Sequence, residues 1–223
     1  MRQDLQIPYK KICISDPGNP INLNQSLLIV KYVRKNYPST RVVYVFHRGI
    51  PTENDSNQKR ANVYSDFIKE LSKLGVEYKD ISYSDNGFST YNDCDLHIGY
   101  RVHAHIYNLS IRNISILIEE DGRGTGVNEA LGLFSIKSYN EDLRRFDKHG
   151  HRIIDKLIWD SYRFISKEWL LERQNPYLIN QIDDYLYMMK ASEYYMMKQA
   201  FQRMGCFFDT MITHLSSFEK GVK

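Results

Sequence analysis

Residues 93–133 read DCDLHIGYRVHAHIYNLSIRNISILIEEDGRGTGVNEALGL. Two apolar, β-prone runs lie in this stretch, 95–100 (DLHIGY) and 114–120 (ISILIEE). Between them, 102–109 carries apolar residues at helical spacing, and 127–131 repeats that spacing before Gly132 stops it. Strand, helix, strand, helix is the signature of βαβ units. Their strands run parallel, and their crossovers are right-handed.

The same alternation continues outward on both sides. Toward the N-terminus, 11–15 (KICIS) is a short strand broken by the loop residues 16–20 (DPGNP), and 24–36 has helical spacing. The run 41–47 (RVVYVFH) is almost continuously apolar, as a strand buried on both faces requires. A helix over 59–74, ended by Gly75, and a strand over 77–82 follow; beyond the central stretch, 134–139 gives a last strand. The fold class expected is α/β: a doubly wound parallel sheet, Rossmann-like, over 1–140.

From about position 141 the composition changes to helix formers and aromatics. Residues 152–173 and 177–204 read as two amphipathic helices separated by Asn175-Pro176, so 141–223 is expected as a helical C-terminal extension. Its Tyr and Met residues, with Trp159 and Trp169, are expected to pack against the sheet unit or a partner, because such side chains fill irregular interfaces.

Composition narrows the function classes. Hydrophobic residues make up 42% and charged residues 26%, as in a globular protein. A net charge of +3 with no basic block argues against a nucleic-acid partner. The three cysteines, Cys13, Cys94 and Cys206, are far apart, and no pair of ligand-type residues has metal spacing, so no metal is expected. The N-terminal residues lack an apolar signal core and no run is long enough to span a bilayer, which gives an expectation of a cytoplasmic protein without a transmembrane segment.

In an open parallel sheet, ligands bind beyond the carboxyl ends of the strands. Here those ends carry Ser15-Asp16, His47-Arg48, Tyr100-Arg101 and Glu119-Glu120-Asp121. Arg101 falls at a strand-to-helix turn, where free N–H groups and the helix dipole favour an anion and a guanidinium can grip it bidentately. His103, two residues on, can face the same ligand. The competing reading pairs Arg101 with Glu119 or Asp121. His105 points elsewhere, and His97, alternating with Leu96 and Ile98, reads as a hydrogen-bonded histidine of the sheet. His149, His151 and His214 give no site pattern. The Gly-rich run 122–126 (GRGTG) reads as a turn between strand and helix that lacks the features of the known phosphate-binding fingerprints.

Together these residues resemble a family. Asp95, Ile98, Gly99, Arg101, His103 and Ala104 follow a D-x-x-I-G-x-R-x-H-A pattern, and an acidic loop with a basic residue leads to Gly126-Val127 and then Leu131-Gly132-Leu133. The pattern is similar to the C-terminal half of the polysaccharide pyruvyl transferases and covers roughly 11–140. Glu120, Gly122 and Gly124 depart from it, standing where the family has Tyr, Pro and Val. The resemblance implies a GT-B-like architecture of two Rossmann-like domains, of which this chain supplies the second. The first is then a missing part of a longer enzyme, a domain supplied in trans or by a homo-oligomer, or absent.

The activity implied is transfer of a pyruvyl group from phosphoenolpyruvate to a sugar of a surface polysaccharide, as a ketal. The implied partners are an anionic small-molecule donor and a saccharide acceptor, with phosphoenolpyruvate as substrate and no cofactor. Donor binding falls to Arg101, His103, Arg123 and Gly126, with His47 and Arg48 beside them. His103 and Asp121 carry the acid–base work, with Glu120 an alternative to Asp121. Two other functions compete: a GT-B transferase using a nucleotide sugar, and a non-catalytic half-domain that acts as a binding module.

Overall fold

The computed structural model describes residues 9–51, 58–140 and 174–220. Six strands form one all-parallel sheet: β1 Lys11–Ser15, β2 Arg41–Phe46, β3 Glu77–Asp80, β4 Leu96–Gly99, β5 Ile114–Glu119 and β6 Ile136–Lys137. Their order across the sheet is β3-β2-β1-β4-β5-β6. The chain winds outward from β1 through β2 to β3, then crosses to the other side of β1 and winds outward again. The reversal falls between β1 and β4, and this is the topological switch point of a doubly wound fold.

Helices α1 (Leu23–Asn36), α2 (Gln58–Lys73), α3 (Val102–Ser110) and α4 (Gly122–Leu131) supply the crossovers. The sheet is buried on both faces, which is why β2 reads as a solid apolar run: Val42 to Phe46 are all buried. Ile12, Ile14, Tyr44, Phe46 and Ile98 pack with α1 and α2 in the main core. The other face is built of smaller side chains, Cys13, Val43, Val45 and Ala104, with Tyr91. The edge strand β3 (EYKD) is exposed throughout, and its charges discourage pairing with another chain.

Helices α5 (Leu178–Ala191) and α6 (Tyr195–Lys220) complete the described structure. They do not form a separate layer. Ile182, Met189 and Met197 are fully buried in the same core as the sheet, each contributing about 1.5–3 kcal/mol. The segment leading into α5 is tied to the sheet by an antiparallel bridge between Tyr139 and Gln174 and by the Asn175 N–H donating to the Ser138 carbonyl (3.0 Å). Tyr187, Met188 and Tyr195 lie on the exposed side of these helices.

Two boundaries differ from expectation. The single helix expected over 177–204 is broken at Glu193 and Tyr194, whose φ of 51° and 61° end α5 with a left-handed turn before α6 starts. The Gly-rich run 122–126 is not a turn but the first half of α4, because Asp121 caps it by accepting from the Arg123 N–H (3.0 Å). The helix expected over 152–173, with Trp159, Trp169, His149 and His151, lies outside the described residues.

Candidate functional site

The carboxyl ends of β1, β2, β4 and β5 deliver Asp16, His47, Arg101 and Glu120 to one rim of the sheet, as their sequence positions imply. The closest approach is at the switch point, where Ser15 lies opposite Gly99. A β-carbon on Gly99 would stand 2.2 Å from Ser15 Oγ and 2.6 Å from its backbone nitrogen, so only glycine lets β1 and β4 pair through their last residues. Arg101 then starts α3.

Arg101 is not the open anion grip expected of it. Its Nε donates to Asp16 Oδ1 (2.7 Å), and its Nη2 donates to Asp16 Oδ2 (2.6 Å) and to the Pro17 carbonyl (3.0 Å). The pair is enclosed, with side-chain exposures of 11% for Arg101 and 1% for Asp16. Burial works against the guanidinium's charge, but Asp16 more than offsets this and holds the Arg101 pKa above its usual value. The alternative partners Glu119 and Asp121 are also excluded by this geometry. Asp16 is adjacent to the rim because the chain leaves β1 there; its Oδ1 also accepts from the His47 N–H (3.2 Å).

What remains open at the switch point is the first turn of α3. Arg101 is its N-cap, in extended conformation, and makes no side-chain capping bond. Nη1 takes no part in the bonds to Asp16 and Pro17. His103 is exposed in this turn. Across the rim, Arg48 is exposed and reaches the Gly18 carbonyl through Nη1 (3.4 Å). His47 sits behind them, its Nε2 sharing a hydrogen bond with the Tyr91 hydroxyl (2.8 Å). Burial, with the positive charge of Arg101, lowers its pKa to about 3, so the ring is neutral at ordinary pH.

The end of β5 is organised differently. Asp121 caps α4 and also accepts from Arg123 Nε and Nη2 (3.1 and 2.6 Å to Oδ2), a pair largely open to solvent. Asp121 and Arg123 therefore serve one another and the helix start, not the α3 turn. Gly126 is exposed inside α4 with open space at its α-carbon. Glu120 accepts from the Gly18 N–H (2.5 Å), the Asn19 N–H (3.1 Å) and Asn22 Nδ2 (2.7 Å). It ties down the loop after β1 and is not placed as a free base.

Sequence reasoning had put Asp16 at a strand end without seeing it as the Arg101 partner. It also missed Tyr91 as the support of His47. The signal for Asp16 is its place as the residue directly after β1, opposite the start of α3. Tyr91 carries no comparable signal, since it belongs to a short 3-10 turn, Gly87–Tyr91.

No family model matches the chain, and no curated protein matches it. Among solved structures it is similar to the U34-tRNA thiolase NcsA from Methanococcus maripaludis with its [4Fe-4S] cluster. That likeness has 12% identity and a TM-score of 0.32, and covers 87% of this chain and 71% of the thiolase chain. The similar structure carries a cluster where no cofactor was expected here, and the expectation of none is not carried further. A likeness of that depth assigns no cluster to this chain. Among the described residues no group of three or more His, Cys, Asp or Glu could hold a metal ion. No helix among them is long and apolar enough to cross a membrane.

Proposed function

We propose that this chain is the donor-binding half of a transferase resembling the polysaccharide pyruvyl transferases, moving a pyruvyl group from phosphoenolpyruvate onto two hydroxyls of a surface-polysaccharide sugar. The observation that carries the reading is the switch-point rim. An uncapped helix start, the exposed His103 within it and Arg48 opposite meet where an open α/β sheet binds its ligands.

The chemistry fits such a rim. Two hydroxyl oxygens add to the central carbon of the donor and phosphate leaves. One hydroxyl proton ends on the methylene carbon, which becomes a methyl group, and the other departs with phosphate. The N–H groups of the α3 turn and Arg48 hold the anionic donor. His103 donates to phosphate or delivers the methylene proton. Arg101, held by Asp16, contributes a fixed positive charge beneath the turn through Nη1. Asp121, which caps α4, and Arg123, which pairs with it, take no part in this chemistry.

Titration of the purified protein with phosphoenolpyruvate, inorganic phosphate and a nucleotide sugar at fixed ionic strength tests it. Phosphoenolpyruvate should bind more tightly than phosphate. A contact to a charged group contributes about 1.5–3 kcal/mol, so His103→Ala should weaken binding by about tenfold or more. Preference for the nucleotide sugar would replace the reading with a nucleotide-sugar transferase. Binding of none of the three, with or without a supplied first domain, would end it.

A further inference from the structure

A buried file of hydrogen bonds runs beneath the rim from β1 to α4. The Arg101 backbone N–H donates to Ser15 Oγ (3.2 Å), and Ser15 Oγ meets His97 Nε2 (2.9 Å). His97 Nδ1 meets Ser115 Oγ (2.7 Å), which in turn meets His105 Nδ1 (2.7 Å). Beyond His105, Asn128 stands close enough to favour the protonated ring, and Asn128 Nδ2 donates to Glu119 Oε1 (2.7 Å). Ser15, His97, His105 and Ser115 are fully buried, and Asn128 and Glu119 are 1% exposed.

We propose that this file is a donor chain with one sense, in which His97 carries its proton on Nδ1 and His105 carries its proton on Nε2, and that it positions the first turn of α3. The two ends decide the sense. A backbone N–H can only donate, and an ionised carboxylate can only accept. Ser15 therefore accepts from Arg101 and donates to His97 Nε2, leaving the His97 proton on Nδ1. That proton goes to Ser115, whose own hydroxyl donates to His105 Nδ1. The His105 proton is then on Nε2, on the side of Asn128, whose Oδ1 also has no partner among the described residues, while the Asn128 amide N–H donates to Glu119.

The reverse sense fails at both ends. Ser15 would accept from Arg101 and from His97 together, and its hydroxyl proton would have no partner in the file. The lone pair of His105 Nε2 would face the lone pairs of Asn128 Oδ1. Neither atom has a hydrogen-bond partner among the described residues, so nothing relieves the conflict. Turning the Asn128 amide over would only set its oxygen against the Glu119 carboxylate. The chain needs both rings neutral, and burial ensures this: the His105 pKa is lowered to about 3 and that of His97 lies well below its usual value.

The tautomers are a property of the folded chain alone, whereas any consequence for donor affinity rests on the proposed function. Long-range proton–nitrogen NMR of the wild-type protein, with nitrogen-15 in its histidines, reads them directly. The expected result is opposite tautomers, Nδ1–H for His97 and Nε2–H for His105. The same tautomer in both, the reverse pair, or a cationic ring would overturn the chain.

Positioning is read separately from hydrogen exchange of the Arg101 amide. Ser115→Ala leaves two buried ring nitrogens without a partner and should speed that exchange about tenfold, and Ser115→Thr, which keeps the hydroxyl, should restore it. Unchanged exchange in a folded Ser115→Ala protein would overturn the positioning role whether or not the rim binds phosphoenolpyruvate. The tautomer measurement needs no variant, so it decides the chain even where Ser115→Ala does not fold.

Discussion

Arg101 and Asp16 are joined by two parallel hydrogen bonds, Nε to Oδ1 at 2.7 Å and Nη2 to Oδ2 at 2.6 Å, that close the top of the β1–β4 pair. A buried charge left without its partner keeps its desolvation cost and loses the attraction that offsets it. Arg101→Ala and Asp16→Ala should therefore each destabilise the protein by about 3–5 kcal/mol. The double variant should lose less than the sum of the two, because neither charge is then stranded. Urea unfolding of the wild type, the two single variants and the double variant measures the cycle; additive losses would mean that the pair is not coupled.

Gly99 offers a test of the switch point itself. Gly99→Ala places a methyl group within 2.6 Å of the Ser15 backbone nitrogen, which can move only by parting β1 from β4. Overpacking of this kind costs about 1–3 kcal/mol. The thermal midpoint should fall, whereas Gly126→Ala, with open space around it, should hold or raise the midpoint because alanine favours a helix.

Acid should weaken this protein well above the carboxylate range. His47, His97 and His105 all have pKa values lowered from an ordinary 6.5 by burial. Below about pH 6.5 the unfolded chain takes up protons that the folded chain refuses, until near pH 3 for His47 and His105, so unfolding is favoured as pH falls through that window. Each group adds at most about 1.4 kcal/mol per pH unit to the slope. Urea midpoints between about pH 7 and about pH 5 should drop, and His47→Gln should flatten the dependence by roughly one group's share. An identical slope in that variant would show that folding does not shift the His47 pKa.

The helices after position 174 should melt with the sheet. Met189→Ala opens space in a core shared by β-strands and α5, and should cost about 2–5 kcal/mol. Calorimetry should show one transition moving as a whole. A second transition at an unchanged temperature would assign α5 and α6 to an independent unit.

The sequence by itself determined the order of the elements. The apolar runs at β1, β2, β4 and β5 admit no other periodicity, and their alternation with helices makes a parallel sheet the solution that buries both faces. It also placed Arg101 at a helix start and His97 inside the sheet, since both follow from counting along one element. Partners far apart in the chain were not legible. Asp16 lies 85 residues from Arg101, and only the pairing of β1 with β4 brings them together, turning an expected ligand grip into a closed ion pair. The glycines at 122, 124 and 126 read as a loop because their helix propensity is poor, yet the Asp121 cap and packing against β5 carry them into α4. Local preference is worth tenths to about 1 kcal/mol per residue, and burial of a single apolar side chain outweighs it, so the tertiary structure decides wherever the two conflict.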